Sequence, residues 1–159
     1  MKKFNNRPNK YISGENGSGW VCRATVTVTM IIFEDYVLCL NRGKDVTETG
    51  FWCMPCGYLD YNETIKEGAY REVYEETGID FRELYTIVET ERVDEPGTGI
   101  KQSIFYHHLL NTSKKHEHNI LIVDLGEVTD IKWIHKDDIK DYEFTFGHEL
   151  RIGDYFQLN

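Results

Sequence analysis

Residues 57–79 read GYLDYNETIKEGAYREVYEETGI, and the rest of the chain is best read outward from them. Thr64 followed three residues later by Glu67 is the arrangement of a capping box, in which two side chains satisfy free backbone groups at a helix start. Gly78 stands where a helix ends most easily, in left-handed backbone. Together they predict a helix over Thr64–Thr77. Within it Ile65, Ala69, Val73 and, more weakly, Thr77 recur every four residues, a narrow stripe for a core. Gly68 costs about 1 kcal/mol relative to Ala in a helix interior, so this helix leans on tertiary packing.

The same helix carries Glu72, Glu75 and Glu76 on one side, at spacings of three and four. Exposed like-charge pairs at that distance repel by roughly 0.2–0.5 kcal/mol each. Hard divalent ions such as Mg²⁺ relieve such crowding through oxygen ligands. A solvated acidic face is the plain alternative, and the cluster alone favours it. The wider spacing reverses that balance. Gly57, five residues, Glu63, seven residues and then REVYEETGI from Arg71 to Ile79 reproduce G-x5-E-x7-R-E-U-x-E-E-x-G-U without departure, Val73 and Ile79 being the bulky aliphatic U residues. Seven fixed residues match by chance on the order of once in 10⁸ starts. The stretch resembles the signature box of the Nudix hydrolases.

That resemblance implies an α/β protein: a Nudix-type α/β/α sandwich with a mixed sheet, the box forming loop–helix–loop. The domain would span residues 21–159, after a flexible N-terminal arm over residues 1–20. The implied reaction is metal-dependent hydrolysis of a nucleoside diphosphate linked to another group, by attack of water on phosphorus. Glu72, Glu75 and Glu76 would hold Mg²⁺ or Mn²⁺, with the backbone carbonyl of Cys56 completing the set. Arg71 and Glu63 would fix the glutamates' orientation, a role suited to the guanidinium fork. The family takes its general base from the box or from elsewhere; Glu127 is the outside candidate, with Glu95 and Glu117 competing. Arg42 is a candidate contact for a substrate phosphate. Tyr58 and Tyr61 are candidates for stacking a base or ribose, although packing is the plainer role for both. The substrate implied is a small nucleotide derivative, ADP-ribose-like compounds ranking slightly ahead of nucleoside triphosphates. Pro96, 17 residues beyond Ile79, lies one off the position found in some ADP-ribose hydrolases. The rival reading is a catalytically silent Nudix-fold nucleotide sensor; such proteins usually lose box glutamates, and this chain keeps all four. Nudix proteins are often homodimers.

Just upstream, Trp52-Cys-Met-Pro-Cys56 copies the redox signature of thioredoxin-type proteins. A redox Cys-x-x-Cys is activated at a helix N-terminus, whereas here the predicted helix begins about eight residues later. Trp52, Pro55 and Gly57 instead keep the Trp-x-x-Pro-Gly-Gly frame that leads into many Nudix boxes, Cys56 replacing the first Gly. A zinc site would need Cys22 and Cys39 as the second pair, 17 residues apart and unlike zinc ribbons; free thiols are the expectation. His107, His108, His116 and His118 are expected to be solvated at strand ends or in loops.

The remaining chain agrees with one soluble domain. Its 159 residues hold 18 Lys+Arg against 27 Asp+Glu, net −9, which excludes a sequence-independent duplex binder needing a basic face. No apolar run approaches a membrane span, and MKKFNNRPNKYISG lacks the apolar stretch of a secretory signal. Four Cys then suggest reduced thiols in the cytoplasm. Residues 24–33 alternate Val26, Val28, Met30 and Ile32 with Thr25, Thr27 and Thr29, predicting a strand with one buried face. YVLCLNR (36–42) reads as its hairpin partner across Glu34-Asp35. Segments 85–93, 101–110 and 120–125 also read as strands. TDIKWIHKDDI predicts a short strand, then a helix from near Lys136.

Overall fold

A computed structural model of the chain describes residues 10–15, 17–21, 24–60, 62–80, 89–93, 103–112 and 126–158. Lys10–Gly14 (β1) and Gly17–Val21 (β2) pair antiparallel as a small sheet of their own, so the segment expected as an arm contains a hairpin. Ala24–Phe33 (β3) and Tyr36–Arg42 (β4) follow. The expected turn joins them, with Glu34 at φ 51°, the positive value that two-residue hairpin turns need. Trp52–Cys53 (β5) and Cys56–Tyr58 (β6) lead to helix Ile65–Thr77 (α1). Glu89–Val93 (β7), Ser103–Asn111 (β8), Val128–His135 (β9), a 3-10 helix over Lys136–Asp141 and helix His148–Phe156 (α2) complete the order. The helix expected from near Lys136 is therefore present, as a 3-10 helix. Segment 120–125 and the starts of the two strands expected at 85 and 101 lie outside the described residues.

The main sheet runs β5-β4-β3-β8-β7, with β6 added to β3 and β9 to β4. It is mixed: β3 and β8 run parallel from Ala24↔Ser103 to Ile32↔Asn111, and the other pairs are antiparallel. β3 and β4 touch only beside their turn, at Ile32↔Val37 and Phe33↔Tyr36, and then part. The gap is filled by a wedge. β5 pairs with β4 at Leu40↔Cys53 and Asn41↔Trp52, while β6 pairs with β3 from Val28↔Cys56 to Val26↔Tyr58. Met54-Pro55 steps between them, and the Thr29 N–H donates to the Pro55 carbonyl at 2.8 Å. The loop ahead of the wedge is closed at its stem: Gly50 N–H donates to Arg42 O and Arg42 N–H to Phe51 O, each 2.9 Å.

Both sheet faces are covered. On one side Ile31, Leu38 and Leu110 pack with Val73 and Ile79, from and just beyond α1. On the other, Val26, Val28, Ile32, Val37 and Cys39 pack with Trp52, Met54, Ile139 and Ile152, the last two from the 3-10 helix and α2. This corrects the expectation of a single buried face on β3, since Thr27 and Thr29 are buried beside Ile31. Hydroxyls made that row look solvent-facing, but α1 lies against β3 and closes it. Each fully buried Val, Leu or Ile contributes about 1.5–3 kcal/mol, so the two half-cores fix the sheet and α1 against one another.

The ends of α1 are those expected. Thr64 Oγ1 accepts from Glu67 N–H at 3.3 Å and Glu67 Oε2 accepts from Thr64 N–H at 2.7 Å. Gly78 takes φ 70° and its N–H donates to Tyr74 O. Gly68, Ala69, Val73 and Thr77 are buried and Ile65 half-buried. The face left over belongs to the glutamates.

Candidate active site

The wedge brings the start of the box against α1 through backbone groups. Pro55 O and Leu59 N–H bond to β3, so the ladder's alternation turns the groups of Cys56 and Tyr58 the other way. There they meet α1. Cys56 N–H donates to Glu76 Oε2 at 3.0 Å, and Tyr58 O accepts from Arg71 Nη2 at 2.9 Å. The same alternation turns the Cys56 carbonyl away from β3. Between them Gly57 faces Glu72 so closely that a Cβ there would overlap its carboxylate.

Arg71 is the hub. Glu63 grips it with both oxygens, Oε2 accepting from Nε at 2.9 Å and Oε1 from Nη2 at 2.6 Å. Nη1 donates to Glu72 Oε1 and Glu75 Oε2, both at 2.8 Å. Glu63 also accepts from Asp60 N–H at 2.7 Å. The Arg71 bonds, helped by Asp60 N–H against some burial, hold the Glu63 carboxyl below its usual value. Glu72 moves the other way: burial raises it despite Arg71, and the charges of Glu75 and Glu127 add to the rise. Glu76 is pushed well above the ordinary carboxylate range by burial, then by Cys53 and Glu72, with Cys56 N–H and Arg42 opposing.

Three glutamates thus hold one guanidinium, with Asp60 Oδ2 a further 3.7 Å from its Nε. Among the described residues no three His, Cys, Asp or Glu side chains converge on one point, because Glu72 and Glu75 turn onto Arg71 while Glu76 turns onto Cys56. The donors nevertheless fit a hard divalent cation. Glu72, Glu75, Glu76 and the Cys56 carbonyl offer oxygen throughout, and two of the carboxyls are raised by burial that a cation would offset.

Other expected residues fall variously. Glu127 is exposed in the turn before β9, near enough for its charge to act on Glu72. Gly43 makes that approach possible: its N–H donates to Glu127 O at 2.6 Å, and a Cβ there would overlap the Gly126 carbonyl. Tyr58 is 64% exposed beside the box. Tyr61, Glu95, Glu117, Pro96, His116 and His118 lie outside the described residues, as does Cys22. Arg42 has its guanidinium engaged locally, Nε donating to Thr47 O at 2.7 Å and Nη1 lying 3.8 Å from Cys53 Sγ.

The cysteine pair is built into the wedge, not onto a helix start. Cys53 and Cys39 are buried and Cys56 partly so, all as free thiols. A bond from Cys56 holds the Cys53 thiol below its usual value, aided by Arg42 against burial, while that bond and burial push Cys56 well up. His108 departs from expectation. It is buried in β8, and desolvation, with Lys66 adding, lowers it to about 4, so it is neutral at pH 7.

Sequence reasoning missed the segment before α2. Trp52 N–H donates to Glu143 O at 2.8 Å, Thr145 N–H to Trp52 O at 3.0 Å, and Met54 N–H to Nδ1 of buried His148 at 3.0 Å. It clasps the wedge from the face opposite α1 and brings Phe146 beside Arg42, the guanidinium carbon 5.0 Å from the ring centroid. Gly147, at φ 71°, was its one local signal.

Comparison with protein families matches the NUDIX domain over residues 23–151. The chain belongs to the Nudix family. Solved structures share this fold at low identity. A bifunctional NMN adenylyltransferase/ADP ribose pyrophosphatase from Francisella tularensis, complexed with AMP and a Mn ion, is 22% identical at TM-score 0.71, over 85% of this chain and 41% of that one. The chain therefore spans well under half of that protein. The NUDIX domain of Shewanella oneidensis NrtR, complexed with ADP ribose, is 17% identical at TM-score 0.69, over 86% and 88%. The E. coli dihydroneopterin triphosphate pyrophosphohydrolase is 21% identical at TM-score 0.61, over 82% and 93%. No curated protein sequence matches the chain.

Proposed function

We propose that residues 21–159 form a divalent-cation-dependent pyrophosphohydrolase that cleaves a nucleoside diphosphate linked to another moiety. ADP-ribose-like compounds rank ahead of nucleoside triphosphates, a ranking supported by the ADP ribose and AMP held by two of the relatives. The carrying observation is the Arg71-centred carboxylate cluster, with half-buried Glu76 accepting from the Cys56 N–H. Glu72, Glu75, Glu76 and the Cys56 carbonyl would hold Mg²⁺ or Mn²⁺, which would neutralise charge on the pyrophosphate and acidify the attacking water. Arg71 and Glu63 keep the glutamates oriented. Glu127 takes the proton of the attacking water, a role its exposed place beside Glu72 allows. Arg42, Tyr58 and Tyr61 are the proposed substrate contacts. We place the enzyme in the cytoplasm.

A phosphate-release panel over ADP-ribose, nucleoside triphosphates and dinucleotides, with Mg²⁺ and with Mn²⁺, tests the reading. Binding of nucleotide without turnover of any compound would favour the silent sensor. A thermal readout stands beside it. The Glu76 carboxyl is raised in the folded chain, so its stabilising contribution is present at low pH and is lost as pH rises through the folded value. A cation binds the ionised form, so the melting temperature gained with Mn²⁺ is expected to grow with pH over that range. A gain that is flat in pH would remove Glu76 from the cation site.

Gly57→Ala tests the cradle separately. The added methyl must displace the Glu72 carboxylate, and a misplacement near 1 Å costs about 10²-fold in rate. Turnover is expected to fall by that order while circular dichroism stays unchanged. Full activity would mean that Glu72 can move without consequence.

A further inference from the structure

We infer that the Phe146 ring, held in place by Arg42, is the platform on which the nucleobase of the substrate stacks. This rests on the nucleotide reading above and names the part of the chain that meets the base. Phe146 has φ 62°, a left-handed backbone that a bulky residue rarely adopts. The strain does not deliver the ring to the core, since 37% of the residue's surface remains exposed. Non-glycine residues kept in such conformations cluster at ligand clamps, where the surrounding structure over-determines them.

Here the surroundings do so from two sides. The Arg42 guanidinium carbon lies 5.0 Å from the ring centroid, and buried His148 meets the ring at 5.6 Å and 61°. His148 is tied in turn to the wedge, accepting from Met54 N–H at 3.0 Å. Arg42 follows an irregularity in the β4–β9 register between Asn41 and Arg42, a device that re-aims side chains beside active sites. Its Nη1 reaches to 3.8 Å from Cys53 Sγ, and Cys56, three residues on, holds Glu76. Contacts therefore run from the ring through Arg42 and the cysteines to the carboxylates. With the Arg42 guanidinium over one face of the ring, a purine stacks on the other. Tyr58, by contrast, serves Arg71 through its backbone.

The test separates ring from backbone. Asn tolerates left-handed backbone better than Phe does, so Phe146→Asn keeps the main chain and deletes the ring, while Phe146→Tyr keeps both. AMP and ribose 5-phosphate are the probes, titrated calorimetrically into the full chain with Mn²⁺. Wild type is expected to bind AMP at least about tenfold more tightly than ribose 5-phosphate, a modest return for one stacked base. Phe146→Asn is expected to lose that advantage without a lower melting temperature, and Phe146→Tyr to keep it. AMP binding unchanged in Phe146→Asn overturns the inference. So does a wild type that does not favour AMP, or an advantage lost in Tyr58→Ala and kept in Phe146→Asn. The two readings fail separately. Ring-dependent AMP binding by a wild type that hydrolyses nothing keeps the platform and removes the hydrolase; turnover with AMP binding untouched by Phe146→Asn does the reverse.

Discussion

Glu76→Gln is expected to lower kcat by at least ~10²-fold, the size of losing a positioned electrostatic group, while the protein melts no lower than wild type. Gln keeps an oxygen to accept from Cys56 N–H, as Glu76 Oε2 does at 3.0 Å. It also removes a carboxyl whose charged form is disfavoured by burial and by the neighbouring Cys53 and Glu72. Stability and activity should therefore part company, which distinguishes a cation ligand from a structural carboxylate. Glu75→Gln should show a similar loss of kcat from a side chain that is 55% exposed. Near-normal turnover in both variants would sink the site assignment, and a folding defect in Glu76→Gln would make its bond to the wedge the main role.

Arg71→Ala is expected to fail on both counts. The guanidinium serves Glu63, Glu72, Glu75 and the Tyr58 carbonyl at once. Side chains of Arg71, Glu63 and Glu72 are 25%, 13% and 14% exposed, so their pairing is only partly screened. Removing one partner of such a network costs about 3 kcal/mol, chiefly by leaving carboxylates unpaired. Chemical denaturation should show this, together with loss of turnover. Arg71→Lys should recover little, because an ammonium cannot span the fork of Glu63 while reaching Glu72 and Glu75. The partner variant locates the cost: Glu63→Gln in the Arg71→Ala background should restore part of the lost stability, since it neutralises the carboxylate left behind. Strict additivity of the two changes would remove Glu63 from the network.

How much of this could be read in the sequence follows from how local each determinant is. The ends of α1 were legible because Thr64, Glu67 and Gly78 act on backbone groups within a few residues of themselves. The box was legible because its spacing is chemistry laid along one helix. Thr27 and Thr29 misled, because their burial depends on a helix that begins only at Ile65. α2 left little trace: its N-cap, Gly147, contributes no side-chain bond, and the helix is short with Gly153 inside it. Phe146 was invisible for a stronger reason, since its meaning lies in a contact with Arg42 across 104 residues of chain. The cysteine motif shows the converse. Its spacing is local, yet the structure around it is a strand wedge, and its backbone meets α1 through the bond from Cys56 N–H to Glu76.

The closed stem ahead of that wedge has an evolutionary consequence. Arg42, Gly50 and Phe51 seal the loop over residues 43–50 from the strands on either side. Doubling a loop's length costs only about 0.6 kcal/mol in closure entropy. Residues can therefore be gained or lost there without moving Cys56 or Gly57, beside the very arginine that carries the aromatic platform. Selection can retune which molecule is admitted by insertion and deletion beyond Asp45, while Gly43 keeps its bond to Glu127 and the wedge keeps its pairing.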